Sequence, residues 1–305
     1  MRVAVLPTGR MEAEGLAPAL AALFPDHAFT TIFANPRERE PHHAFTTSRL
    51  PIPNVGAAPT ALDKLVGEMA AALFPRSRHE PAHDRVLLVD DLELANRDQP
   101  EVVVACVRDA VRRHLETLVE PRRARTAARL CERASFHLAV PMVEAWLFAD
   151  PTSLVAAGAQ REARLVDGRD PEAFQSADPD YEEDDGSGCT RWQSKRPRKS
   201  EKPLWLKTDD RLHHPKAYLA WLCRSPGEKC CTIYRETTKG DGPSGARALE
   251  RIDWSTVLSN DAHLRFLRAM VADLAFALGA QNPFPGKEAI TGLGTRPQDH
   301  VLRNL

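Results

Sequence analysis

The stretch Arg85 to Leu94, RVLLVDDLEL, constrains this chain more than any other. Four consecutive apolar residues, Val86 to Val89, run directly into Asp90, Asp91 and Glu93, the pattern of a buried parallel strand that ends at a site. Side chains alternate along a strand, so residues i and i+2 share a face roughly 6.6 Å apart. Asp91 and Glu93 are therefore expected to converge, with Asp90 facing the other way. Two such carboxylates suit a hard divalent cation, whose remaining positions are filled by water and phosphate oxygens. The competing reading is an acidic turn that caps the next helix.

Around this stretch the hydrophobic periodicity alternates between strand and helix. Arg2 to Leu6 reads as a strand ending at Pro7-Thr8-Gly9, and Leu16, Leu20, Leu23 and Phe24 mark a helical face behind it. Ala28 to Ala34 reads as a second strand, and Asn35 to Thr60, with five prolines, as a long irregular loop. Leu62, Leu65, Val66, Met69 and Leu73 mark a second helix. Pro100 opens a third, with its stripe at Val103, Val104, Val107 and Val111, and Ser135 to Val140 reads as a further strand. Strands alternating with helices predict βαβ units, hence an α/β fold with a mostly parallel sheet flanked by helices over residues 1–160. Residues 161–207 carry an acidic block followed by a basic one and read as a charged, mobile insert. A helical C-terminal part over 208–280 and an irregular tail over 281–305 complete the expectation.

Composition narrows the function classes. The formal net charge is -1, with 43% hydrophobic and 27% charged residues, so the chain is not a strongly electrostatic nucleic-acid binder and any hold on a polyanion needs help from a partner. No secretory leader and no run approaching the ~18 apolar residues of a membrane span is visible, and the six scattered cysteines do not form a disulfide framework, which predicts a cytoplasmic protein with no membrane partner. Gly240, Gly242 and Gly245 have G-x-G-x-x-G spacing, but Ala246 and Arg247 stand where a phosphate loop needs Lys and Ser/Thr. His213, His214, Cys223, Cys230 and Cys231 lack zinc-ligand spacing. No G-x-S-x-G elbow follows a strand, and Pro141 after the fourth strand excludes a receiver domain's acceptor aspartate. Glu144, just past that strand, either joins Asp91 and Glu93 or sits at a helix N-terminus, stabilised by the macrodipole.

The segments LPTGRMEAEGL, VDDLEL, AVPMVEAWLFADP, HPKAYLAWL and YRETTKG with ALERIDW resemble a bacterial domain-of-unknown-function family of the Toprim-like group, related to the Toprim domains of overcoming-lysogenization-defect nucleases. The resemblance spreads over nearly the whole chain and is most specific at EAWLFADP and the YRET and IDW segments. It implies a Toprim-like (Rossmann-like) sheet and a nuclease, or nuclease subunit, dependent on Mg²⁺ or Mn²⁺. It further implies nucleic acid as partner and a separate AAA- or ABC-type ATPase subunit in phage defence. Asp91 and Glu93 then match the family's D-x-D metal motif, with Glu144 completing the metal set. The strand-one glutamate of the family corresponds to Thr8, whose hydroxyl cannot serve as a carboxylate acid or base. Glu12 or Glu14 must substitute, with Glu12 the expected catalytic glutamate; otherwise the chain is a degenerate Toprim-like scaffold that binds a partner and cleaves nothing.

Overall fold

The computed structural model describes residues 1–52, 59–75, 81–184, 209–224, 234–238, 241–259, 263–283 and 300–305. Its centre is a parallel sheet of four strands, β1 (Arg2–Pro7), β2 (Ala28–Thr31), β3 (Arg85–Asp91) and β4 (Ala134–Ala139), in the order β2-β1-β3-β4. The crossovers use α1 (Arg10–Leu23) between β1 and β2, α2 (Thr60–Ala72) between β2 and β3, and α3 (Pro100–Glu116) with α4 (Arg122–Arg133) between β3 and β4. From β1 the chain passes outward to β2, then returns to place β3 on the other side of β1. That reversal makes the C-terminal ends of β1 and β3 the switch point of the sheet, the place where α/β sheets bind ligands.

Alternation along the strands divides the core into two layers. Val3, Val5, Leu87 and Val89 face α1 and the C-terminal helices, whereas Ala4, Leu6, Val86 and Leu88 face α2 and α3. Among the described residues the C-terminal helices are α5 (Glu144–Leu147), α6 (Pro151–Ala157), α7 (Pro179–Glu183), α8 (Pro215–Leu222), α9 (Gly245–Glu250), α10 (Trp254–Ser259) and α11 (Arg265–Leu278). Helix α9 lies so close to α1 that a Cβ on Gly15 would stand 2.5 Å from the carbonyl oxygen of Ala246. Gly245, the last glycine of the G-x-G-x-x-G spacing, opens α9 against the Tyr234 ring. The architecture is thus a Rossmann-like parallel sheet flanked by helices, with C-terminal helices added to one face.

Several local expectations change. The second strand is shorter than Ala28 to Ala34: Ile32 N still donates to Val5 O at 2.8 Å, after which the chain turns away into the Asn35–Glu40 bridge. The described part of the following loop has no regular structure but is pinned by Asn96, whose amide bonds Thr46 O, Ser48 O and Leu50 N. Within the segment read as a charged insert, residues 161–184 fold against α8, because Phe174 and Tyr181 stand among the charges and bury with Tyr218 and Trp221. The remainder, 185–207, lies outside the described residues. Of the tail, residues 300–305 return to the sheet: Leu302 and Leu305 are buried on the α2 and α3 side, and the Asn304 side chain bonds both Phe136 N and Phe136 O. This covers the free edge of β4. Among the described residues no helix is long and apolar enough to cross a membrane.

Candidate functional site

The end of β3 sends its two aspartates in opposite directions. Asp90 is fully buried on the α2 side, where it accepts hydrogen bonds from the Thr8 hydroxyl, from Thr46 Oγ1 at 3.1 Å and, at the limit of reach, from Phe45 N at 3.5 Å. Burial pushes its carboxyl up to about 7, even though these donors pull it down. Thr8 lies beside Asp90 because β1 and β3 run in register, Pro7 opposite Val89. The strand-one hydroxyl is therefore spent on holding an aspartate.

Asp91 faces the other layer, where Oδ1 accepts from Val143 N at 2.9 Å. Its pKa is raised well above the usual carboxylate range by burial and then by the charges of Glu12, Glu144 and Glu93. Glu93 does not reach this cluster as a continuation of the strand. The strand ends at Asp91, and Glu93 takes φ 60°, ψ 154°, a conformation that an L side chain adopts only at a cost of roughly 1–3 kcal/mol. Its amide donates to Pro141 O at 2.7 Å, which ties the turn to the end of β4. Burial raises the Glu93 carboxyl, with Lys216 opposing and Glu144 and Glu236 adding to the rise.

Glu12 and Glu14, the two candidates to replace the strand-one glutamate, separate cleanly. Glu12, three residues into α1, is buried, and its carboxylate folds back over the helix N-terminus into space that a Cβ on Gly9 would occupy. A Cβ at position 9 would push the carboxylate out of this place. Burial, followed by the charge of Glu144, pushes Glu12 up to about 8. Glu14 instead points to the surface, where Oε2 accepts from Thr238 N at 2.8 Å and Thr238 Oγ1 at 2.6 Å.

Glu144 opens α5 and is buried. Tyr234 donates its hydroxyl to Glu144 Oε1 at 3.1 Å, and Lys216 Nζ stands 3.7 Å from that oxygen and 2.8 Å from Glu236 Oε1. Burial raises Glu144 despite the ammonium. Burial alone would lower Lys216, but Glu144 and Glu236 outweigh it and hold the lysine charged. Lys216, Tyr234 and Glu236 were not singled out by spacing; their signal was polar residues inside the otherwise apolar HPKAYLAWL and the short YRET segment.

The arrangement brings Glu12, Asp91, Glu93, Glu144 and Glu236 into mutual electrostatic range, with one ammonium among them. The donor set is hard and anionic, which matches Mg²⁺ or Mn²⁺ by type. In position, however, no three His, Cys, Asp or Glu side chains among the described residues are disposed to hold a metal ion. The described members of the histidine and cysteine group have other tasks: His214 Nδ1 caps α8 at Ala217 N, His213 bonds Phe174 O, and Cys223 reaches Ala157 O. Cys230 and Cys231 lie outside the described residues.

Fold and site together define a parallel α/β protein with an acidic cluster at the switch point of its sheet. Comparison with family models, with curated proteins and with solved structures returned no match.

Proposed function

We propose that this chain is a Toprim-like, divalent-cation-dependent nuclease or nuclease subunit acting on nucleic acid. The observation that carries the proposal is the gathering of buried Glu12 and Glu144 with half-buried Asp91 and Glu93 at the switch point, close enough to raise one another's carboxyls. Like charges packed this way destabilise the fold unless protons or a cation offset them. Asp91 and Glu93 would hold Mg²⁺ or Mn²⁺ with Glu144, and the ion would supply an activated water and stabilisation of phosphoryl charge. Glu12, whose carboxyl burial and the charge of Glu144 push up in the metal-free chain, lies beside the cluster where Thr8 cannot serve, and takes the role of general acid or base. Lys216 positions Glu144 and Glu236. A separate AAA- or ABC-type ATPase would supply the affinity for nucleic acid that a net charge of -1 does not.

A second reading, a Toprim-like scaffold that binds a partner and cleaves nothing, is favoured by a specific observation. The described side chains as they stand offer no three-ligand metal geometry, and Lys216 already neutralises part of the cluster. On side-chain position alone this second reading fits more closely; the surplus of negative charge supports the first. Calorimetric titration with Mn²⁺, paired with a cleavage assay on labelled DNA and RNA, separates them. Under the first reading the wild type binds Mn²⁺, Asp91→Asn does not, and Glu12→Gln lowers any metal-dependent cleavage by about 10²-fold or more. Absence of Mn²⁺ binding by the wild type leaves the scaffold reading standing.

A further inference from the structure

A second concave site lies at the opposite end of the sheet. Helices α2 and α3 end, and α4 leads into β4, near the N-terminal ends of the strands, and between these helices opens a cavity of about 400 Å³. That volume falls in the range of small-ligand pockets. Ala71, Phe74 and Leu118 form an apolar wall; His114, Arg122, Arg125 and Thr126 supply the polar one, and no carboxylate lines it among the described residues.

The arginines of α4 divide into two groups. Arg123 is used by the fold, its Nε donating to Leu115 O at 3.2 Å and Leu118 O at 3.0 Å, and so is Arg129, which bonds Leu73 O and lies 4.2 Å over the Phe74 ring. Arg122 and Arg125 are exposed and make no hydrogen bond or ion pair among the described residues. Thr126 adds an independent sign. It is 2% exposed, it lines the cavity, and its hydroxyl has no hydrogen-bond partner among the described residues. The oxygen is not sealed from the cavity, so it is a donor available there to a ligand, on the same stretch of helix as Arg122 and Arg125. The helix end itself does not supply the donors, since Ala124 N bonds Glu120 Oε2 and Arg125 N bonds Pro121 O. The side chains must therefore do the binding.

We propose that this cavity binds a small phosphate ester of nucleoside-monophosphate size, with its phosphate between Arg122 and Arg125, an oxygen accepting from Thr126 Oγ1, and its organic part against Ala71, Phe74 and Leu118. Guanidinium groups match phosphate oxygens in geometry and charge. The apolar wall selects an ester over the bare anion. The site stands independently of the acidic cluster.

The test is calorimetric titration of the full chain with AMP, UMP and inorganic phosphate. AMP or UMP should bind saturably, inorganic phosphate more weakly by about tenfold. Arg122→Ala and Arg125→Ala should each weaken the nucleotide by about tenfold. Thr126→Val, which preserves shape, should weaken it severalfold with an unchanged melting temperature, and Asp91→Asn should leave it unaltered. The proposal is overturned by absence of saturable binding, by an Arg122→Ala/Arg125→Ala variant that binds like the wild type, or by inorganic phosphate binding as tightly as the nucleotides. Loss of binding in Asp91→Asn would place the nucleotide at the acidic site and overturn it too.

Discussion

Asp90 and Asp91 are adjacent and chemically identical, yet Asp90 is fully buried, Asp91 half-buried, and the two belong to different environments. Around Asp90 the chain has gathered two hydroxyls and an amide, so the carboxylate closes a hydrogen-bonded knot between β1, β3 and the loop at Phe45 and Thr46. Around Asp91 it has gathered other carboxylates, with a single donor, Val143 N, among the described residues. Burial of an acid among donors serves the fold; burial among acids serves it only when something neutralises them. The comparison teaches that the two strand-end aspartates sit in opposite settings, one held by donors and one set among other acids.

The largest expected effect breaks the structural side. Asp90→Ala strands the hydroxyls of Thr8 and Thr46 in the core and should cost about 3 kcal/mol in urea denaturation, at the scale of losing a buried partner for several donors. A loss below about 1 kcal/mol would mean that the two aspartates are equivalent after all. On the other side the sign reverses. Glu93→Gly removes both a repelling carboxylate and the backbone strain at φ 60°, and should stabilise the metal-free protein by roughly 1–3 kcal/mol.

Next comes the pH dependence. Glu12 titrates near 8 in the folded chain against an ordinary 4.5, so between those values the folded state keeps a proton that the unfolded state has lost. Stability therefore falls as pH rises through that window. Glu12→Gln should match the wild type near pH 4 and exceed it at pH 8 by on the order of 2 kcal/mol. Equal curves for the two proteins from pH 4 to 8 would show that Glu12 is not held in a carboxylate cluster. The smallest effect belongs to Glu14→Gln, which removes an exposed acceptor for Thr238 and should change stability by about 0.5 kcal/mol or less, with no shift in its pH profile.

How much of this was legible in the sequence depended on distance along the chain. The apolar run Val86 to Val89 announced β3, and strand alternation correctly separated Asp90 from Asp91. The same alternation gave a mistaken route for Glu93, which reaches the cluster through a positive φ beyond the strand's end, a tertiary effect enforced by Pro141. Glu12 folds back over Gly9, and a glycine that leaves space for a carboxylate three residues later is not a periodic signal. Lys216, Tyr234 and Glu236 arrive from C-terminal segments whose docking onto α1 and α5 no local pattern encodes. The fold of residues 161–184 was hidden by composition: charges dominate the count, while Phe174 and Tyr181 decide the packing.

The central claim is that the Asp91 side of the sheet is built for a divalent cation. Thermal melts of wild type, Asp90→Asn, Asp91→Asn and Glu93→Gln at pH 7.5 (roughly neutral), with and without Mn²⁺, test it most directly. The account predicts that Mn²⁺ raises the melting temperature of the wild type and of Asp90→Asn, whose site remains intact despite its lower starting stability, and leaves Asp91→Asn and Glu93→Gln unmoved. A wild type indifferent to Mn²⁺, or a rise that persists in full in Asp91→Asn and Glu93→Gln, would contradict it.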